Sequence, residues 1–171
     1  MDLRTYIRDV PDFPQPGVLF RDITPLLHDP AAFGAAVEGL AAYVASRRVD
    51  AIVAIESRGF LFGAPIAHHL GLPLVPVRKP GKLPAERMSV EYSLEYGESR
   101  LDIHADALTR GDRAIVVDDL LATGGTAHAA AKLVELLGAS VDSVLFLVEL
   151  AHLEGRARLA GYDVHALIRY D

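Results

Sequence analysis

The chain has 171 residues, no cysteine and a formal net charge of −6 from 17 basic and 23 acidic side chains, with 51% of its residues hydrophobic. That length fits one domain, and a domain of this size buries roughly 70% of the surface of its unfolded chain without a disulfide or metal staple. The missing thiols exclude zinc-thiolate and redox chemistry, and the acidic balance argues against a general nucleic-acid surface, which depends on many Lys and Arg contacts to phosphate.

Residues 1–6 are polar and lack the basic start and apolar core of a signal peptide, so a cytoplasmic location is expected. Residues 11–16 are rich in proline, too rigid for a helix, and deliver Leu19, Phe20 and Arg21 as an exposed or ligand-facing loop. Asp29 and Pro30 read as N-cap and first residue of a helix that runs to about Arg48, with Phe33, Val37, Leu40, Ala41 and Val44 on one face. Residues 51–55 are the next strand. After a turn at Glu56, Ser57, Arg58 and Gly59 come a helix to His69, a stop at Gly71 and a strand at 74–77, a unit of the kind that builds parallel sheets. Residues 59–77 carry no formal charge, but His68, His69, Pro65, Pro73 and Pro76 argue against a membrane span.

Residues 78–100 break the pattern, with Pro80, Gly81, Pro84 and Gly97 separating short polar pieces. A loop of this length in a compact domain is usually functional. Its basic residues Arg78, Lys79 and Lys82 fall within five positions and suit a small polyanion better than a duplex. Leu101 and Ile103 alternate with polar neighbours as a short strand at its base. There follow a strand at 114–117, a helix from about 126 to 137 stopped by Gly138, a strand at 144–150, a helix near 153–159 and a strand around 164–168. The expected fold class is α/β, a single domain with a mainly parallel central sheet flanked by helices.

The run AIVVDDLLATGGT at 114–126 carries the chemistry. Its apolar, β-branched start suits a strand covered on both faces, and Asp118 and Asp119 fall at the carboxyl end, where open α/β sheets form their ligand crevice. Two adjacent carboxylates there can hold polyol hydroxyls or a hydrated Mg²⁺. The glycines and threonines that follow let backbone N–H groups approach a phosphate at the start of a helix, so the implied ligand is a sugar phosphate. The seven histidines form no metal motif, and neither a Ser-His-Asp order nor a P-loop lysine motif is present.

This run resembles the phosphoribosyl pyrophosphate (PRPP) signature of the type I phosphoribosyltransferases. The rest of the chain is similar to the adenine phosphoribosyltransferases among them, through FPQPGVLFRDI at 13–23, ESRGFLFG at 56–63, RKPGKLP at 78–84, YSLEYG at 92–97 and LVEL at 147–150. The resemblance implies the type I fold, with a small amino-terminal base-binding hood over about residues 1–30 and a flexible catalytic loop over about 78–100, and transfer of the 5-phosphoribosyl group from PRPP to adenine, giving AMP and pyrophosphate. It implies that Asp118 and Asp119 hold the ribose 2′- and 3′-hydroxyls while Ala122, Thr123, Gly124, Gly125 and Thr126 cradle the 5′-phosphate. Ser57 and Arg58 then belong to a pyrophosphate loop with a non-proline cis peptide between Glu56 and Ser57. Arg58, Arg78, Lys79 and Lys82 would neutralise the leaving pyrophosphate, with Pro80 standing where some relatives carry another basic residue. Phe20 and Leu150 would sandwich the purine, and backbone groups of Leu19 and Arg21 would read its edge. Glu95 is the family's acid/base candidate, with Tyr96 beside it in the mobile hood. Mg²⁺ would be held mainly by PRPP with Asp118 and Asp119 nearby, and a homodimer with no nucleic-acid or membrane partner is expected. Two alternatives stay open: a transferase for 6-oxopurines, and a non-catalytic PRPP or nucleotide sensor on the same fold.

Overall fold

The computed structural model describes residues 1–93 and 98–171. A 3-10 turn at Leu3–Tyr6 leads into an antiparallel hairpin of β1 (Arg8–Pro11) and β2 (Leu19–Asp22). The prolines form its turn, where Phe13 N–H donates to Val18 O and the Phe13–Pro14 peptide is cis. Leu19, Phe20 and Arg21 are therefore strand residues rather than loop. Composition exposes the prolines but not the pairing partner that they fold the chain back onto.

A five-residue helix, α1 (Thr24–His28), is too short to leave a periodic signal. The next helix, α2 (Pro30–Ala45), starts as predicted: the Asp29 side chain accepts from Ala31 N and Ala32 N at 2.9 Å, and Pro30 has no donor to satisfy. It stops short of Arg48. Its buried stripe is Ala32, Ala36, Leu40, Ala41 and Val44, with Phe33 and Val37 only partly covered, because small alanines let the neighbouring helix approach closely.

Strand β3 (Ala51–Ile55), helix α3 (Arg58–Leu70) and strand β4 (Leu74–Val77) form the parallel unit with the predicted strand limits. Beyond it the structure departs from expectation. β5 (Arg87–Ser93) and β6 (Glu98–His104) pair antiparallel as a ribbon from Arg87↔His104 to Ser93↔Glu98, so much of 78–100 is strand. One face of the ribbon buries Leu101 and Ile103, and on the other Asp102 is buried too, accepting from Ser89 Oγ between Arg87 and Arg100, so polar residues hide the alternation in β5. Arg78 and Asp102 exchange two backbone hydrogen bonds, of 2.9 and 2.8 Å, which tie the ribbon to the end of β4.

The remaining elements are β7 (Arg113–Leu121), α4 (Gly125–Leu136), β8 (Ser140–Leu150), a 3-10 turn at Ala151–Leu153, α5 (Gly155–Arg158) and β9 (Asp163–Tyr170). β7 and β8 are longer than their apolar cores, and the last helix shrinks to one turn. Strand β7 continues through Asp118 and Asp119, which hence lie within its last turns of pleat and not after it.

The sheet order is β4-β3-β7-β8-β9, with every neighbouring pair parallel. Alternation sorts its side chains into two layers. Ile52, Ile115, Val117, Leu145 and Leu147 pack with Phe62 and Ile66 under α1 to α3. Val53, Ile55, Val116, Val144 and Phe146 pack with Leu133 and Leu101 under α4 and the ribbon. Burial on both faces explains why these strands read as continuous apolar runs. The chain builds outward in opposite directions from β3 and β7, so the order reverses between them and opens a crevice beyond their carboxyl ends. Among the described residues no helix is long and apolar enough to cross a membrane.

Candidate active site

The crevice between β3 and β7 holds a cavity of about 340 Å³. Ser57 and Arg58 enter it from the turn after β3, Asp118 and Asp119 from β7, and Ala122, Thr123, Gly124, Gly125 and Thr126 from the turn that starts α4. Lys79 lines it from the segment after β4. The Glu56–Ser57 peptide is cis. Gly59 lets the first turn of α3 press onto β7: a Cβ there would lie 2.7 Å from Val117 O and 3.1 Å from Asp118 Oδ1.

Electrostatics in this cavity are dominated by the two carboxylates. Asp119 is only 2% exposed, while Asp118 is half-buried and accepts from Asp119 N at 2.9 Å. Burial, followed by the neighbouring Asp119 charge, pushes the Asp118 carboxyl well above its usual range. Burial also raises Asp119, against the opposing charge of Arg58. Arg58 Nε lies 3.1 Å from Asp119 Oδ2 but outside hydrogen-bond geometry, so that oxygen is buried without a hydrogen-bond partner. A pair in this condition gains by accepting hydroxyl donors or facing a cation, since either favours the ionised form.

A second cavity, of about 480 Å³ and almost wholly apolar, adjoins the first. Val10, Phe13 and Phe20 of the hairpin line it together with Ile23, Leu27 and Leu61. Phe13 meets Phe20 edge-on with ring centroids 5.1 Å apart. Arg58 borders both cavities, with its Cζ 5.8 Å from the centre of the Phe20 ring. The structure thus brings Phe20 into line with Arg58 and Asp119.

Other candidates lie apart from these walls. The Arg21 side chain pairs with Asp9 and covers the Tyr170 ring at 3.9 Å. Leu19 is exposed, and Leu150, the last residue of β8, sits opposite Tyr170 and lines neither cavity. Arg78 and Lys82 flank Lys79 without lining the polar cavity; Arg78 Nη1 donates to Lys82 O at 3.3 Å. Glu95 and Tyr96 lie outside the described residues.

Two residues of the site, and a third outside its walls, carried no role in the sequence. Glu56 accepts from Arg78 Nε at 3.1 Å and from Lys79 N at 3.0 Å, and so fixes the basic segment beside the cavity. Burial works against its charge, but these bonds and the basic neighbours prevail and hold it below the usual glutamate range. An acid directly after a strand, in a chain with a basic run two elements later, was the available signal. Tyr92 of the ribbon receives a hydrogen bond from Thr126 Oγ1 at 3.3 Å and lines the cavity, a contact that no local pattern encodes. Glu149 is 3% exposed and is gripped by both ends of the Arg156 guanidinium, at 2.7 and 2.8 Å.

The Arg156 bonds hold Glu149 below the usual glutamate range despite its burial. Because the folded-state value is the lowered one, the stability that this pair contributes is present above the ordinary glutamate pKa and is lost as pH falls through the lowered value. Glu149→Gln is expected to cost about 1–3 kcal/mol at neutral pH. On acidification below about pH 4 the gap in melting temperature between wild type and variant should then narrow. A gap that stays constant in calorimetry across that range would contradict the ionised pair.

Comparison with known proteins agrees with this geometry. Residues 26–167 match the model of the phosphoribosyl transferase domain. The chain is 57% identical over 169 residues to the adenine phosphoribosyltransferase of Caldanaerobacter subterraneus subsp. tengcongensis, covering 99% of this chain and 98% of that one. The crystal structure of adenine phosphoribosyltransferase from Thermoanaerobacter pseudethanolicus superposes with a TM-score of 0.96 at 56% identity, over 99% of this chain and 98% of the other. That of the Saccharomyces cerevisiae enzyme, complexed with adenine and an imino-altritol bisphosphate, gives 0.93 at 39% identity, over 97% and 96%. On sequence and on backbone alike, the chain belongs to the phosphoribosyltransferase family, within its adenine phosphoribosyltransferases.

Proposed function

We propose that the chain salvages purine by transferring the 5-phosphoribosyl group of PRPP to adenine, releasing AMP and pyrophosphate. One observation carries this reading: a carboxylate pair, a glycine-rich helix start and the Arg58 guanidinium converge on one cavity at the β3/β7 reversal, beside an apolar pocket that presents an aromatic ring. Sugar hydroxyls, a terminal phosphate, a second anion and a flat base are the complementary ligand set. The relatives named adenine phosphoribosyltransferase support the same reaction.

In this reading Asp118 and Asp119 accept the ribose 2′- and 3′-hydroxyls and residues 122–126 cradle the 5′-phosphate. Ser57, Arg58 and Lys79 take the pyrophosphate, with Arg78 and Lys82 behind Lys79 and Glu56 holding Arg78 and the Lys79 backbone in place. Phe20 faces the purine, with Leu150 on its other side and backbone groups of Leu19 and Arg21 at its edge. As N9 of adenine attacks C1′, the bond from C1′ to the pyrophosphate oxygen breaks, the configuration inverts and N9 gives up its proton. Positive charge builds on the ribose during this exchange, and the basic residues stabilise the charge that the departing group takes up. Glu95 manages the base proton and Tyr96 helps the hood exclude water.

Mg²⁺ fits the donor set as an ion carried in by PRPP. Asp119 Oδ2 is an unsatisfied buried oxygen, and no cluster of three or more His, Cys, Asp or Glu among the described residues would hold an ion unaided. When bound, the ion screens phosphate charge on the leaving group. A homodimer and a cytoplasmic location complete the reading.

The test is product chromatography after mixing the purified chain, PRPP and Mg²⁺ with adenine, hypoxanthine, guanine or xanthine in separate reactions. AMP from adenine alone is the expected result. The 6-amino group of adenine donates where a 6-oxo group accepts, so a site that pairs with one leaves a buried polar group unpaired with the other. Nucleotide from an oxopurine would overturn the specificity, and no nucleotide in any reaction would favour a sensor.

A further inference from the structure

The turn over residues 122–126 does not stand alone. Its underside is pressed against the segment that begins α5, with no room for a side chain between the two backbones. A Cβ on Gly155 would lie 2.2 Å from Ala122 O and 2.7 Å from Leu121 Cδ1, and a Cβ on Gly124 would lie 2.6 Å from Gly155 O. The α5 segment is a single turn, entered through Glu154 at a left-handed φ of 54° and left through Leu159, which is buried in the core. Arg156, the next residue after Gly155, supplies a polar anchor at the near end. Its Nε and Nη2 donate to the two Glu149 oxygens at 2.7 and 2.8 Å, and its Nη1 donates to Val164 O of β9 at 2.9 Å.

Glu149 is in register with Leu121, the last residue of β7 before the turn. Paired residues of neighbouring parallel strands share a sheet face, so Glu149 stands beside the root of the turn. The fork therefore links the strand next to the turn with the glycine that underlies it. A bidentate guanidinium fixes both distance and plane, which a single flexible ammonium does not.

We propose that Glu149 and Arg156 are positioning residues for the 5′-phosphate cradle. They hold Gly155 against Ala122 and Gly124, so that the backbone N–H groups of the turn keep one orientation toward a phosphate. The inference rests on the reading of residues 122–126 as that cradle.

The test compares the full chain with Arg156→Gln, Arg156→Lys and Glu149→Gln. Two readouts are taken: steady-state KM for PRPP and for adenine, and the Kd for ribose 5-phosphate by calorimetry, which needs no turnover. Arg156→Gln and Glu149→Gln are expected to raise the PRPP KM and the ribose 5-phosphate Kd about tenfold while the adenine KM moves less than about twofold. Arg156→Lys, which keeps the charge but loses the fork, should fall between them and wild type. Folded variants with a lowered melting temperature and unchanged phosphate readouts would show a purely structural pair and overturn the proposal. Where Arg156→Gln does not fold, Arg156→Lys decides by the same two readouts. Should wild type form no nucleotide from any base, the proposed reaction falls, and the ribose 5-phosphate arm still decides the role of the fork.

Discussion

Asp119→Ala is expected to lower kcat/KM for PRPP by about 100- to 1,000-fold, or about 3–4 kcal/mol. Asp119 is 2% exposed, with an oxygen that has no hydrogen-bond partner, so a ribose hydroxyl would meet a preorganised, desolvated acceptor. A hydrogen bond to such a charged group contributes about 1.5–3 kcal/mol, and Arg58 loses its counter-charge in the same step. Stability should move the other way. Burial raises the Asp119 pKa, which means that ionising it costs the empty protein free energy. Asp119→Asn, which keeps the shape and discards the charge, should therefore melt no lower than wild type while still losing most of its PRPP use. Steady-state kinetics with PRPP varied at saturating adenine, together with calorimetric melting, checks both halves. A loss of less than about tenfold would remove Asp119 from the ribose site.

The second large effect is expected from Gly124→Ala, with a PRPP KM raised about 30-fold or more. Two causes add at this position. Gly124 has a φ of 81°, a region that costs a residue with a Cβ about 1–2 kcal/mol. The added carbon would also lie 2.6 Å from Gly155 O, so the turn must lift off its support. Gly138→Ala is the control. Gly138 has nearly the same φ, 80°, at the far end of α4, and the three atoms nearest its Cβ would all belong to Arg110, led by the side-chain Cγ at 3.1 Å. Both variants should lose comparable stability through backbone strain, yet only Gly124→Ala should lose affinity for PRPP. Equal PRPP KM values in the two would show that the turn does not hold the phosphate.

Much of the frame could be read from local pattern. β3 and β4 begin and end where their apolar runs do, and Asp29 caps α2 with the geometry that Asp-Pro implies, because each depends on neighbours within a few residues. The same holds for the acidic pair and the glycine turn, which sit on consecutive residues and reach one cavity together. What escaped was pairing over distance. The hairpin needs Arg8–Pro11 to find Leu19–Asp22 across prolines, and the ribbon needs a half-exposed strand to be told from a polar loop. Tyr92 meeting Thr126, Glu56 holding Arg78, and Gly155 lying under Ala122 are contacts between residues 22 to 34 positions apart that leave no trace in spacing or composition. The segments of Leu150 and Arg21 matched as well, with Leu150 lining neither cavity and the Arg21 side chain turned to Asp9 and Tyr170, which leaves the backbone role expected of Arg21 untouched.

Arg58 has one side chain and two cavities. Its Nε is 3.1 Å from Asp119 and its Cζ is 5.8 Å from the Phe20 ring centre, so it cannot move toward an anion in the polar cavity without changing what it offers the apolar one. An anion that drew the guanidinium over would thereby link the two occupancies. Whatever factor a filled polar cavity imposes on affinity in the apolar cavity, the apolar ligand returns by the same factor, since the four states of empty, singly and doubly filled protein close a cycle. A coupling carried by this one guanidinium would require no subunit rotation or domain closure.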